Sequence, residues 1–85
     1  MQRKTVSINL EKGLEATPVA MLVQVASKYN SNIYMENDAK RVNCKSIMGM
    51  MSMALGNGEQ VTITTDGNDE EQAMSGMEQY LAKAN

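Results

Sequence analysis

The chain has 85 residues, eight Lys or Arg against ten Asp or Glu, no histidine and a single cysteine, Cys44. That length points to one domain over 1–85, burying roughly 60–65% of the unfolded chain's surface, and the composition excludes an internal disulfide, the commonest metal ligand and the usual general base. The mixed charges, the net −2, the three scattered tyrosines (Tyr29, Tyr34, Tyr80) and the lack of a leader or long apolar run predict a soluble cytoplasmic protein that binds neither nucleic acid nor membrane.

Residues 4–10 alternate, which predicts a half-buried strand with Val6, Ile8 and Leu10 inward and Thr5, Ser7 and Asn9 outward. Lys12-Gly13 breaks it. A helix start follows in Leu14-Glu15-Ala16-Thr17-Pro18. Thr17 can cap, Pro18 fits the first helical position because its missing N–H is needed by no intrahelical bond, and Leu14 can fold back as a staple. Val19, Leu22, Val23 and Ala26 keep helical spacing to about Tyr29, and Asn30-Ser31-Asn32 closes the helix.

Two short runs, 33–36 and 40–44, flank a polar loop at 37–39 and read as a hairpin, with Ile33 and Met35 sharing one face and Val42 and Cys44 another. Cys44 reads as a buried strand residue. Ser46 then stands before an apolar stretch, Ile47-Met48-Gly49-Met50-Met51-Ser52-Met53, in the position of a helix N-cap. The stretch has too many apolar residues for one face of so short a helix. Met50 and Met53 are expected in the core, and the others turn outward, as methionine does on surfaces that fit partners. Gly56-Asn57-Gly58 ends this helix.

A further strand spans 60–65, with Val61, Ile63 and Thr65 on one face, and Asp66-Gly67-Asn68 turns the chain. Asn68 or Asp69 caps a last helix with Glu70 and Glu71 in its first turn, where anions are favoured. Ala73, Met74, Met77 and Leu81 form its inner face, with Tyr80 beside them. Gly76, which costs about 1 kcal/mol in mid-helix against Ala, signals a close backbone contact there. The order is βαββαβα, and each strand has one apolar and one polar face. That pattern predicts an α+β fold, an antiparallel sheet with helices on one side.

This order, the Gly13-Leu14-x-Ala16-x-Pro18 helix start and the run Val42-Asn43-x-Lys45-Ser46-Ile47-Met48-Gly49-x-Met51-Ser52 resemble the HPr family, the histidine-containing phosphocarriers of the bacterial sugar phosphotransferase system. The resemblance covers essentially the whole chain, and the second motif is specific. It implies an open-faced β-sandwich with strand order 1-4-2-3 and three helices on one face. The Gram-positive type is implied, in which an HPr kinase/phosphorylase phosphorylates the serine, here Ser46. The resemblance further assigns Ile47, Met48 and Met51 to the apolar surface that touches enzyme I, the kinase and a CcpA-type repressor, and Lys45 is expected to join them in partner binding.

Two positions depart from that pattern. Glu15 stands where the family has its phosphorylated histidine, and Thr17 where it has an arginine that supports the phosphoryl group and joins the repressor contact. The Crh branch of the family also lacks the histidine, but it keeps the arginine. No catalytic residue, cofactor or metal is therefore expected, and enzyme I is not expected to phosphorylate the chain. Glu15 reads as an anion at a helix N-terminus, worth roughly 0.3–1 kcal/mol. It imitates a phosphorylated state only weakly, with one charge and no tetrahedral oxygens; a Glu15→Gln variant with unchanged partner binding removes even that role. The leading expectation is a regulatory protein of carbon catabolite control, acting through Ser46 and protein–protein binding. The alternatives are a phosphocarrier, which the missing histidine opposes, and an orphan module with neither phosphorylation.

Overall fold

The computed structural model describes residues 1–9, 16–38, 40–53 and 58–82. Seven elements follow in order: β1 (Gln2–Ser7), α1 (Ala16–Ser27), β2 (Asn32–Glu36), β3 (Arg41–Asn43), α2 (Ile47–Met51), β4 (Gln60–Asp66) and α3 (Glu70–Leu81). The strands form one sheet in the order β1-β4-β2-β3, with every neighbouring pair antiparallel. The element order is the one read from the sequence pattern, and the strand order is the one the family resemblance implied.

The pleat sorts the side chains. Ile33 faces Thr65 and Met35 faces Ile63 across the β2–β4 ladder, and all four are fully buried beneath the helices. Val19, Leu22, Val23 and Ala26 of α1, Met50 and Met53, and Ala73, Met74, Met77 and Leu81 of α3 close the core from the other side. At roughly 25 cal/mol per Å² of apolar surface, these side chains carry most of the fold's stability. Thr65 is the polar member of the inner face, and its hydroxyl donates to the Glu70 carbonyl at 2.9 Å. The other sheet face is polar, with Thr5 and Thr62 hydroxyls 3.0 Å apart, Arg3 paired with Glu36 at 3.0 Å, and Arg41 4.3 Å above the Tyr34 ring.

Several boundaries differ from expectation. β1 begins at Gln2 rather than residue 4 and ends at Ser7. Its parity is the expected one, so Lys4 shares the helix-side face with Val6, and at this sheet edge its ammonium reaches Glu78 of α3 at 3.1 Å. Ile8 stays buried beyond the strand end, exchanging backbone bonds with Glu59 and Gly58. α1 begins at Ala16, so Thr17 is inside the helix rather than its cap and Pro18 lies third; its missing N–H is still among the first four, which no intrahelical carbonyl needs. α2 ends at Met51, with turns over Ser52 and Met53. Leu10, Leu14, Glu15, Gly56 and Asn57 lie outside the described residues, as does the side chain of Thr17.

Asp69 occupies the N-cap position of α3 without bonding its own helix. Its carboxylate instead accepts from the backbone N–H of Asn30 (2.8 Å) and Ser31 (2.9 Å) and from the Ser31 hydroxyl. Those donors hold its pKa below the usual carboxylate range, the Ser31 hydroxyl first. The expected cap thus joins the end of α1 to the start of α3. Gly67 fits the same corner, since a Cβ there would lie 2.7 Å from the Ser31 Cα. Gly76 has the close contact its mid-helix position signalled, but with a side chain rather than backbone. The Tyr29 ring lies against it, with Cζ and Cε2 at 3.0 and 3.1 Å from where a Cβ would stand. Among the described residues, no helix is long and apolar enough to cross a membrane.

Candidate partner-docking surface around Ser46

Chain geometry leading into α2 fixes where Ser46 stands. β3 ends at Asn43, whose side-chain oxygen accepts from the Lys45 N–H at 2.8 Å, while its carbonyl accepts from the Ser46 N–H at 3.0 Å. This tight turn leaves Ser46 extended (φ −106°, ψ 114°), the backbone of an N-cap. Its Oγ accepts from the Gly49 N–H at 3.1 Å and its carbonyl accepts from Met50 N–H at 2.9 Å. The hydroxyl is therefore a helix cap and is exposed. A Cβ on residue 49 would sit 3.3 Å from Ser46 Oγ, so glycine keeps the cap geometry open.

Lys45 behaves differently from its neighbours. Its ammonium donates to the Tyr29 carbonyl at 2.7 Å, two residues past the end of α1. This bond fixes α2 to α1 and leaves the Lys45 side chain half-buried. At the other end of α2, Lys40 donates to the Ser52 carbonyl at 3.1 Å and the Ser52 hydroxyl to the Gly49 carbonyl at 2.6 Å. A helix of five residues is thereby held at both ends by side chains.

Side-chain burial divides α2 sharply. Met50 points into the core, whereas Ile47, Met48 and Met51 are 50%, 85% and 53% exposed. Met21, on α1, which packs against α2, is a further large apolar side chain left 48% exposed. Sequence reasoning did not single out Met21. The signal was present: it falls outside the buried 19, 22, 23, 26 stripe, on a face where a polar residue is the ordinary choice. Cys44, next to this surface, is fully buried, and burial pushes its thiol up to about 12, so it carries no nucleophile.

Comparison with known proteins identifies the architecture. A family model described as the PTS HPr component phosphorylation site matches residues 2–83. The chain belongs to the HPr family. It is 46% identical over 83 residues to the HPr-like protein Crh of Halalkalibacterium halodurans, covering 98% of this chain and 99% of that one. It is 41% identical to the Bacillus subtilis HPr-like protein Crh over 95% of each chain. The crystal structure of a phosphocarrier protein HPr from Bacillus anthracis superposes with a TM-score of 0.91 at 45% identity, covering 94% of this chain and 95% of that one. These relationships place the chain in a family that holds both a phosphocarrier protein HPr and HPr-like Crh proteins.

Proposed function

We propose that this protein is a Crh-like regulator of the phosphotransferase system, phosphorylated on Ser46 by an HPr kinase/phosphorylase and acting through protein–protein binding without histidine phosphotransfer. The observation that carries the reading is an exposed N-cap hydroxyl beside exposed Ile47, Met48 and Met51, in a chain that has no histidine. The apolar side chains give a kinase something to grip within two helical turns of the acceptor. Lys45 supports the same surface by holding α2 in place through Tyr29.

Phosphorylation there makes physical sense. The phosphate dianion meets the N–H groups of the first turn of α2 and the positive end of its peptide dipoles. The cap is replaced by a stronger acceptor, so the surface changes charge while the fold is kept. A CcpA-type repressor is the partner this phosphorylated surface fits, with Thr17 in place of the family's arginine weakening that contact. Glu15 is an anion at the former histidine position, and enzyme I finds no acceptor there.

The test uses a purified Gram-positive HPr kinase/phosphorylase with ATP. One phosphate is expected, mapped to Ser46 and lost in Ser46→Ala. Incubation with enzyme I and phosphoenolpyruvate is expected to leave the protein unlabelled. A phosphorylated product in that second reaction, or label that persists in Ser46→Ala, defeats the proposal.

A further inference from the structure

The nine methionines of the chain divide into two populations. Met35, Met50 and Met77 are 0% exposed, Met74 4% and Met53 5%, all within the core. Met48 and Met51 are 85% and 53% exposed on α2, directly after Ser46, and Met21 is 48% exposed on α1, which packs against α2. Met1, 75% exposed, stands apart at the start of β1, its ammonium bonded to Glu70 at 2.7 Å. A thioether is oxidised where a peroxide reaches the sulfur, and the sulfoxide is polar where the thioether was apolar.

We propose that Met21, Met48 and Met51 are a reversible oxidation site, at which a peroxide switches the α1–α2 surface from apolar to polar and so blocks docking at Ser46. The sulfur lone pair attacks one oxygen of hydrogen peroxide and the O–O bond breaks. The thioether is oxidised to a sulfoxide, the second oxygen is reduced, and it leaves as water after taking up a proton. A thiol-dependent reductase reverses the step: two thiols become a disulfide, and the sulfoxide oxygen leaves as water. The core sulfurs are spared because reaching them requires the fold to open. Neither the backbone of α2 nor its anchors Lys45, Ser46 and Lys40 involve a thioether, so the modified surface keeps its shape and loses its chemistry. Burying a sulfoxide oxygen against a partner's apolar face without a donor carries the cost of any unpaired polar group.

The switch rests on the docking role proposed for this surface, and the experiment separates the two. The full chain is treated with limiting hydrogen peroxide and examined by fragmentation mass spectrometry that resolves single residues. Separately, the rate of Ser46 phosphorylation by HPr kinase is measured before oxidation, after it, and after treatment with a sulfoxide reductase and thiol. One oxygen each is expected on Met21, Met48, Met51 and Met1 before any core methionine reacts, with circular dichroism unchanged. The phosphorylation rate is expected to fall at least about tenfold, the effect of one unpaired polar group in an apolar contact, and to recover on reduction. A Met1→Leu variant is expected to respond to peroxide as the wild type does. A Met21→Leu/Met48→Leu/Met51→Leu variant, whatever its own starting rate, is expected to lose the response. Equal uptake by the core methionines overturns the proposal, as does an unchanged rate on protein oxidised at all three positions. A failure of the docking reading is visible before any oxidant is added, as an untreated chain that the kinase does not phosphorylate; the switch then falls with it.

Discussion

Gly76 sets two energetic terms against each other. Replacing it by Ala in the middle of α3 gains about 1 kcal/mol of helix propensity. The new methyl would stand 3.0 and 3.1 Å from Cζ and Cε2 of Tyr29, with the phenol oxygen closer still. Such overpacking costs about 1–3 kcal/mol, because the Tyr29 ring packs against the core and cannot move away without losing contacts. With a middle value of about 2 kcal/mol, Gly76→Ala is destabilising by about 1 kcal/mol, which lowers Tm by about 4–8 °C in a domain of this size. In a Tyr29→Ala background the obstacle is gone, and the same substitution should stabilise by about 1 kcal/mol. Urea denaturation of the four proteins gives a double-mutant cycle with an expected coupling of about 2 kcal/mol. Equal stabilisation by Gly76→Ala in both backgrounds would refute the argument.

Three further outcomes follow from the structure. Ser46→Ala removes the acceptor for the Gly49 N–H and is expected to lose about 1 kcal/mol, whereas Ser46→Asp keeps a cap and stays near wild type; thermal melts of the two variants check this. Asp69, its pKa depressed from 3.8 by the Ser31 hydroxyl and the Asn30 and Ser31 N–H groups, contributes stability that is present above the unfolded value and lost as pH falls through the lower folded value. Denaturation as a function of pH should therefore show an acid-side loss that Asp69→Asn flattens, with the variant weaker at neutral pH. Cys44, with its thiol pushed up to about 12 by burial, should resist a thiol reagent at about pH 8 in the native protein and react freely in denaturant. Fast native labelling would contradict its placement.

Periodicity made the framework legible. A period of two picked out Ile33, Met35, Val61, Ile63 and Thr65, and a period near 3.6 picked out Leu22, Ala26, Met77 and Leu81; all are buried because burial is what such periods record. Ser46 was readable as a cap because capping is a local interaction. Contacts between distant segments were not readable in the same way. Asp69 has the residue type and position of a cap, yet donors from residues 30 and 31 claim its carboxylate. Lys45 sits in a motif of partner contacts, yet its ammonium is held by Tyr29. Gly76 announced a close neighbour without saying that it was the Tyr29 side chain. That α1, which carries exposed Met21, packs on α2 is likewise visible only in the fold.

The place of β4 in the sheet governs the order in which the chain can fold. β1 pairs Gln2 with Thr65 and Val6 with Val61, and β2 pairs with the other side of the same strand. β1 and β2, both made before β4, are joined into one sheet only when the segment beginning at Gln60 enters between them. During translation the first half of the chain can form α1 and the β2–β3 hairpin, but not the sheet that unites them. Closing so long a loop before its contacts form slows the central step. The nascent chain must therefore keep two unpaired strand edges apart until Gln60–Asp66 has been made, and β4 decides when the protein becomes a protein.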